Sequence, residues 1–134
     1  MDKFKSKLIF KKYIVDEVKF NYNEKFIDKT AKIDFDIDKE VTYISEKEMQ
    51  VRLIVYLFRD TEKEYPFKMK VAIRGFFEIE NNNENINFEP NAIAILYPYI
   101  RSIVSTYTSS ANVMPLILPV INVNKMLQDK EKED

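Results

Sequence analysis

The run Asp34-Phe35-Asp36-Ile37-Asp38 sets three carboxylates at alternate positions, the spacing that opens a calcium loop. Such a loop needs Gly at its sixth position for a sharp turn and Glu at its twelfth to grip the ion with two oxygens. Those places hold Lys39 and Ser45, so the carboxylates read as the solvated face of a strand. Nucleophilic chemistry is no better served. Ser102, Ser105, Ser109 and Ser110 have no histidine to take their protons, because the chain contains no His. It also contains no Cys, which removes thiolate nucleophiles, disulfide frameworks and most zinc sites. A Ser-Lys pairing is marked by no motif. The lone glycine, Gly75, leaves no Gly-rich loop to cradle a phosphate. No pair stands out among the 22 acidic residues for acid–base work. The expectation is a protein that is not an enzyme and uses no metal and no cofactor.

What the chain has in excess is apolar surface. Ten Phe, eight Tyr and five Met occur in 134 residues, more than one small domain can cover, and such a surplus points to an interface. The length suits a single domain over residues 1–134, with a charged tail at about 128–134. A net charge of -1 lacks the basic excess that nucleic acid or an acidic membrane demands. Leu8-Ile9-Phe10 is cut off by Lys11-Lys12, so no signal peptide is expected, and no run approaches the roughly 18 apolar residues of a membrane span. A soluble, cytoplasmic protein is expected.

The elements that must position these residues follow from periodicity. Lys7 to Phe20 is rich in Ile, Val, Phe and Tyr. Ala31 to Val41 alternates strictly, with Ile33, Phe35 and Ile37 against the three aspartates. Met49 to Phe58 is apolar on both faces, as a central strand would be. Pro66 to Glu80 alternates again until Gly75, where a bulge or a close backbone approach is expected. Asn81 to Asn87 is a polar linker. From about Pro90 to Ser109 the period changes to three and four, which describes an amphipathic helix kinked at Pro98. Pro115 and Pro119 keep Ala111 to Ile121 extended, and Asn122 or Asn124 caps a short last helix. Strands first and helices last predict an α+β fold: a four-stranded antiparallel sheet, then a long kinked helix and a short C-terminal helix.

The block Ile95-Leu96-Tyr97-Pro98-Tyr99-Ile100-Arg101, followed by Ser105 and by Asn112 to Val120 ending in Leu118-Pro119-Val120, resembles the SecB family of chaperones. That family carries an I/L-L-F-P-Y-A-R core on its first helix, then an apolar crossing with two prolines. Tyr97 and Ile100 depart conservatively. Tyr13 before Asp16, the alternation from Lys32 to Asp36, and Gly75 before Phe77 resemble the family more loosely, so the likeness runs from about Leu8 to Leu127.

The resemblance implies a homotetramer, a dimer of dimers with the first helices packed between dimers. It implies an ATP-independent holdase whose apolar grooves bind unfolded polypeptides or preproteins and deliver them for export. Some SecB-like relatives instead hold an antitoxin, which gives the alternative: a dedicated chaperone for one partner, without general holding or docking to the translocase motor SecA. Asp16 matches one acidic SecA-docking position, whereas Lys70 stands where export members carry an acid. Ile33 and Phe35 match client-contacting positions. Apolar character and expected place add Phe26, Ile27, Ile37, Phe76, Phe77, Met126 and Leu127 as client-binding candidates. Ile95, Leu96, Ile100 and Val104 are assigned to packing and assembly.

Overall fold

The computed structural model describes residues 6–26, 33–59, 65–81, 85–113 and 116–133. Four strands, β1 (Lys7–Tyr22), β2 (Phe35–Tyr43), β3 (Glu48–Leu57) and β4 (Phe67–Glu80), are followed by helices α1 (Glu89–Ser110) and α2 (Val123–Glu133). The strands form one antiparallel sheet in the order β1-β4-β3-β2. Both helices lie on one face of it, α1 over β3 and β4 and α2 toward β2. This is the predicted α+β arrangement.

The core forms where the two central strands meet α1. Met49, Val51, Leu53, Val55 and Leu57 of β3 and Met69, Val71, Ile73 and Phe77 of β4 share the inner face and are buried. Ala92, Ile93, Leu96, Ile100 and Val104 of α1 close over them. Phe58, just past β3, adopts the left-handed region at φ 57, an arrangement that costs a bulky residue about 1–2 kcal/mol. Its ring is buried edge-on against Phe67, which offsets that cost.

Gly75 is a point of close approach: a Cβ there would stand 2.7 Å from Leu96 Cδ2 and 2.8 Å from the Phe77 ring. The bulges fall on β1 instead. Its register against β4 slips between Phe10 and Lys12 and again between Val15 and Glu17. Each slip adds one residue and restores the apolar phase. Leu8 and Phe10, then Tyr13 and Val15, then Val18, Phe20 and Tyr22 thereby all pair with inner-face residues of β4.

Helix α1 runs unbroken through Pro98, whose ring is on the exposed side. A proline there forfeits a backbone bond at roughly 3 kcal/mol, which the burial of Ile93, Leu96, Tyr97 and Ile100 on either side offsets. The Asn87 side chain accepts from the Glu89 N–H at 3.1 Å at the start of the helix, and Asn112, with φ 59, turns the chain away at its end. Asn122 caps α2 as expected, accepting from the Lys125 N–H at 3.1 Å.

Candidate functional site

Three polar side chains of α1 pin the crossing segment 116–120 against the helix. Tyr97 donates its hydroxyl to the Pro119 carbonyl at 2.9 Å, and Arg101 Nε donates to the Leu118 carbonyl at 3.1 Å. Thr108, wholly buried, donates to the Val104 carbonyl at 2.8 Å and accepts from the Leu116 N–H at 3.0 Å. Burial raises the Tyr97 phenol above its ordinary pKa, against the lowering charge of Arg101, so it remains a donor across the physiological range. These bonds satisfy carbonyls and an N–H that an extended segment could not satisfy alone. They also fix its phase. Leu116 and Leu118 point into the core, while Ile117 and Val120 are left 68% and 83% exposed.

A second apolar strip lines the flank between β1 and α1. Tyr99 packs, tilted, against Tyr13 at 4.5 Å and Phe10 at 5.8 Å between ring centres, and Tyr107 meets Phe20 at 5.3 Å. Val15, Val18 and Tyr22 stand exposed along the same face of β1. Spacing along β1 could have revealed this strip, because its apolar residues shift phase at Lys11 and at Asp16. The polar pins carried no such signal: Tyr97, Arg101 and Thr108 read as ordinary helix positions until their partners are known.

The predicted client-binding residues divide by place. Ile33, 48% exposed, and half-buried Phe35 lie at the start of β2. Ile37, Phe77 and Leu127 are enclosed in the chain's own core, so a client reaches them only if α2 or α1 moves. Met126 is half-buried on α2 beside that core, and Phe26 is half-buried in the turn after β1. Ile27 lies outside the described residues. Phe76 is on the opposite, outward face, because successive strand residues alternate, and it sits beneath Lys12 and Arg74.

The residues assigned to assembly are taken up inside the chain. Leu96, Ile100 and Val104 are 0% exposed and Ile95 is half-buried, because all four pack α1 onto its own sheet. A neighbour approaching α1 would meet Ala94, Pro98, Ser102 and Thr106, which are exposed.

Helix α2 is held down by Asn124, whose Nδ2 donates to the Pro90 carbonyl at 2.8 Å, by a Lys39–Glu131 ion pair at 3.6 Å, and by Lys130. Lys130 Nζ donates to Asp38 Oδ1 at 2.8 Å, to Asp36 Oδ2 at 3.1 Å and to the Ile37 carbonyl at 3.2 Å. Its pKa is raised: burial lowers it, and the hydrogen bonds and charges of Asp38 and Asp36 outweigh that. Two of the three calcium-like carboxylates thus serve as the seat of a helix. Among the described residues no group of Asp and Glu is placed to hold a metal ion, and no helix is long and apolar enough to cross a membrane.

Asp16 sits in the second β1 bulge, which re-aims its carboxylate along the outward sheet face. It accepts from Arg52 Nε and from an Arg74 terminal nitrogen, each at 3.2 Å. Both of its oxygens are therefore engaged within the chain.

The family model for preprotein translocase subunit SecB matches residues 6–134. Uncharacterized protein MJ0357 of Methanocaldococcus jannaschii is 34% identical over 96% of this chain and 87% of that protein. The protein-export protein SecB of Rickettsia massiliae is 25% identical over 80% of this chain and 73% of its own length. Among solved structures, the Mycobacterium tuberculosis Rv1957 SecB-like chaperone, in complex with a ChAD peptide from the HigA1 antitoxin, superposes with a TM-score of 0.68. It covers 85% of this chain and 89% of its own at 15% identity, a likeness of fold.

Proposed function

The chain belongs to the SecB family, and from that premise we propose that it is an ATP-independent holding chaperone, not an enzyme, that binds unfolded polypeptides along its exposed apolar strips. One observation carries the reading. Polar pins on α1 hold Ile117 and Val120 outward, where water meets them, although two neighbouring leucines are buried. Exposed apolar side chains fixed by a rigid scaffold suit transient contact with apolar segments, at roughly 25 cal/mol per Å² covered. The proposed client surface comprises Ile33, Phe35, Met126, Ile117 and Val120, extended by Phe26. Ile37, Phe77 and Leu127 become part of it when the helices yield.

Holding a long client weakly at several places requires several copies of the surface, so a homotetramer built as a dimer of dimers is proposed with it. Work in the cytoplasm, and export of the bound preproteins, belong to the same proposal. A second reading, a dedicated chaperone for one partner such as an antitoxin, is favoured by the complex in which the M. tuberculosis relative holds an antitoxin peptide. Light scattering of a chemically unfolded, slowly folding protein, diluted with and without this chain, separates the two. General holding predicts suppressed aggregation at near-stoichiometric ratio without nucleotide. Undiminished aggregation beside a folded, assembled chain would leave the dedicated partner.

A further inference from the structure

The outward face of the sheet, opposite the helices, carries charges that the client surface does not use. Register places Lys19 directly across from Lys70, and Arg52 directly across from Arg74. Like charges opposed across a ladder are destabilising unless something compensates them. Among the described residues the compensation is partial. Glu17 pairs with Lys70 at 3.1 Å, Asp16 is shared between Arg52 and Arg74, and Glu40 reaches Arg52 only at 3.5 Å. Lys68 and Lys12 extend the cationic strip along β4 and β1.

Aromatic rings hold these cations in place. Lys70 and Arg59 lie over Tyr56, Lys12 and Arg74 over Phe76, and Lys68 over Tyr65. A recess of about 380 Å³ opens among Asp16, Glu40, Thr42, Gln50, Arg52 and Arg74. On its wall Arg74 Nε is shielded from solvent and makes no hydrogen bond, so a docked carboxylate would meet this guanidinium at its terminal nitrogens.

We infer that this face docks a short acidic segment of a partner polypeptide, whose carboxylates complete the Arg52–Arg74 and Lys68–Lys70 groups. The fit is to a short segment because acids bound the strip. Glu48 opposes Glu78 at one end, and Asp36 and Asp38 stand along β2. A continuous phosphate backbone would run onto those acids, whereas an extended peptide with acids at alternate positions spaces its carboxylates about 7 Å apart on one side. The site is separate from the client surface, so a partner docked there leaves the apolar strips free.

Fluorescence anisotropy of the full chain with a labelled twelve-residue peptide bearing Glu at alternate positions tests this, with the matched Gln peptide and a single-stranded oligonucleotide alongside. The acidic peptide is expected to bind, more weakly as salt rises, and the Gln peptide not to. Lys68→Gln with Lys70→Gln should weaken binding by roughly fivefold per lost pair and leave aggregation suppression unchanged. Asp16→Asn, which removes the shared anion, should strengthen it. Equal binding of both peptides, indifference to the double substitution, or tighter binding of the oligonucleotide would each overturn the proposal.

Discussion

Gly75 shows how one residue sets the distance between sheet and helix. Its missing side chain is filled by the Leu96 methyls, and Leu96 is wholly buried. Neither Leu96 nor Phe77 is the free end of a surface side chain, so an added methyl has to push α1 away from β4. Gly75→Ala is therefore expected to cost about 1–3 kcal/mol, read as a lower midpoint in urea unfolding with an unchanged slope. Leu96→Val in the same background withdraws the crowding carbon and should recover part of the loss. An alanine variant as stable as the parent would show that the helix is not seated on that glycine. The sequence offered Gly75 as a bulge or a close approach; the three-dimensional neighbour, 21 positions on, decides for the second.

Among the elements, α2 carries a polar anchor that gathers several groups of β2 at one cation. Lys130 gathers two carboxylates and a carbonyl of β2, and Leu127 on the same helix enters the core beside Ile37. The folded pKa of Lys130 lies above its unfolded value, so its contribution is complete below the ordinary lysine pKa of 10.5 and is lost as pH rises through the folded value. The methyl resonances of Leu127 should hold their positions through neutral pH and move toward unfolded values only above about 10.5. In Lys130→Met they should already be displaced at neutral pH and titrate no further in that range. Unmoved resonances in the variant would assign the anchoring of α2 to Leu127 and Val123 in the core together with the Asn124–Pro90 and Lys39–Glu131 contacts.

Elements themselves were legible wherever one face is buried. Strict alternation marked β2, two-faced apolarity marked β3, and the three-and-four spacing marked α1 through its proline. Strand β1 was legible as a strand but not in its phase, because two bulges shift which residues face inward. The outward charge cluster was not legible at all. Asp16, Arg52 and Arg74 come from three strands, and only register and a bulge bring them together. Sequence shows which residues carry charge; the sheet order determines which of them oppose one another.

At the scale of the whole molecule, assembly turns on which side of α1 is still available. Its inner side is committed: Leu96, Ile100 and Val104 have no exposed surface left. A charge placed there, as in Ile100→Asp, would enter a core with no partner and unfold the chain, and the lost mass would say nothing about assembly. The outer row of Ala94, Pro98, Ser102 and Thr106 is exposed and small, which permits a second helix to approach to the 8–10 Å typical of packed pairs. Ser102→Arg leaves the fold intact, because no described residue covers that position, yet its length blocks such an approach. If α1 joins two dimers, the parent should have a native mass near four times 16.0 kDa and the variant half of that, with the same secondary structure content by circular dichroism and a lower thermal midpoint, as lost association requires. A variant that keeps the parent's mass would move the contact to the exposed flank of β1, where Val15, Val18 and Tyr22 also await cover. A parent that stays monomeric at micromolar concentration would remove the multivalent holding mechanism itself, since one weak surface cannot retain a long client by avidity.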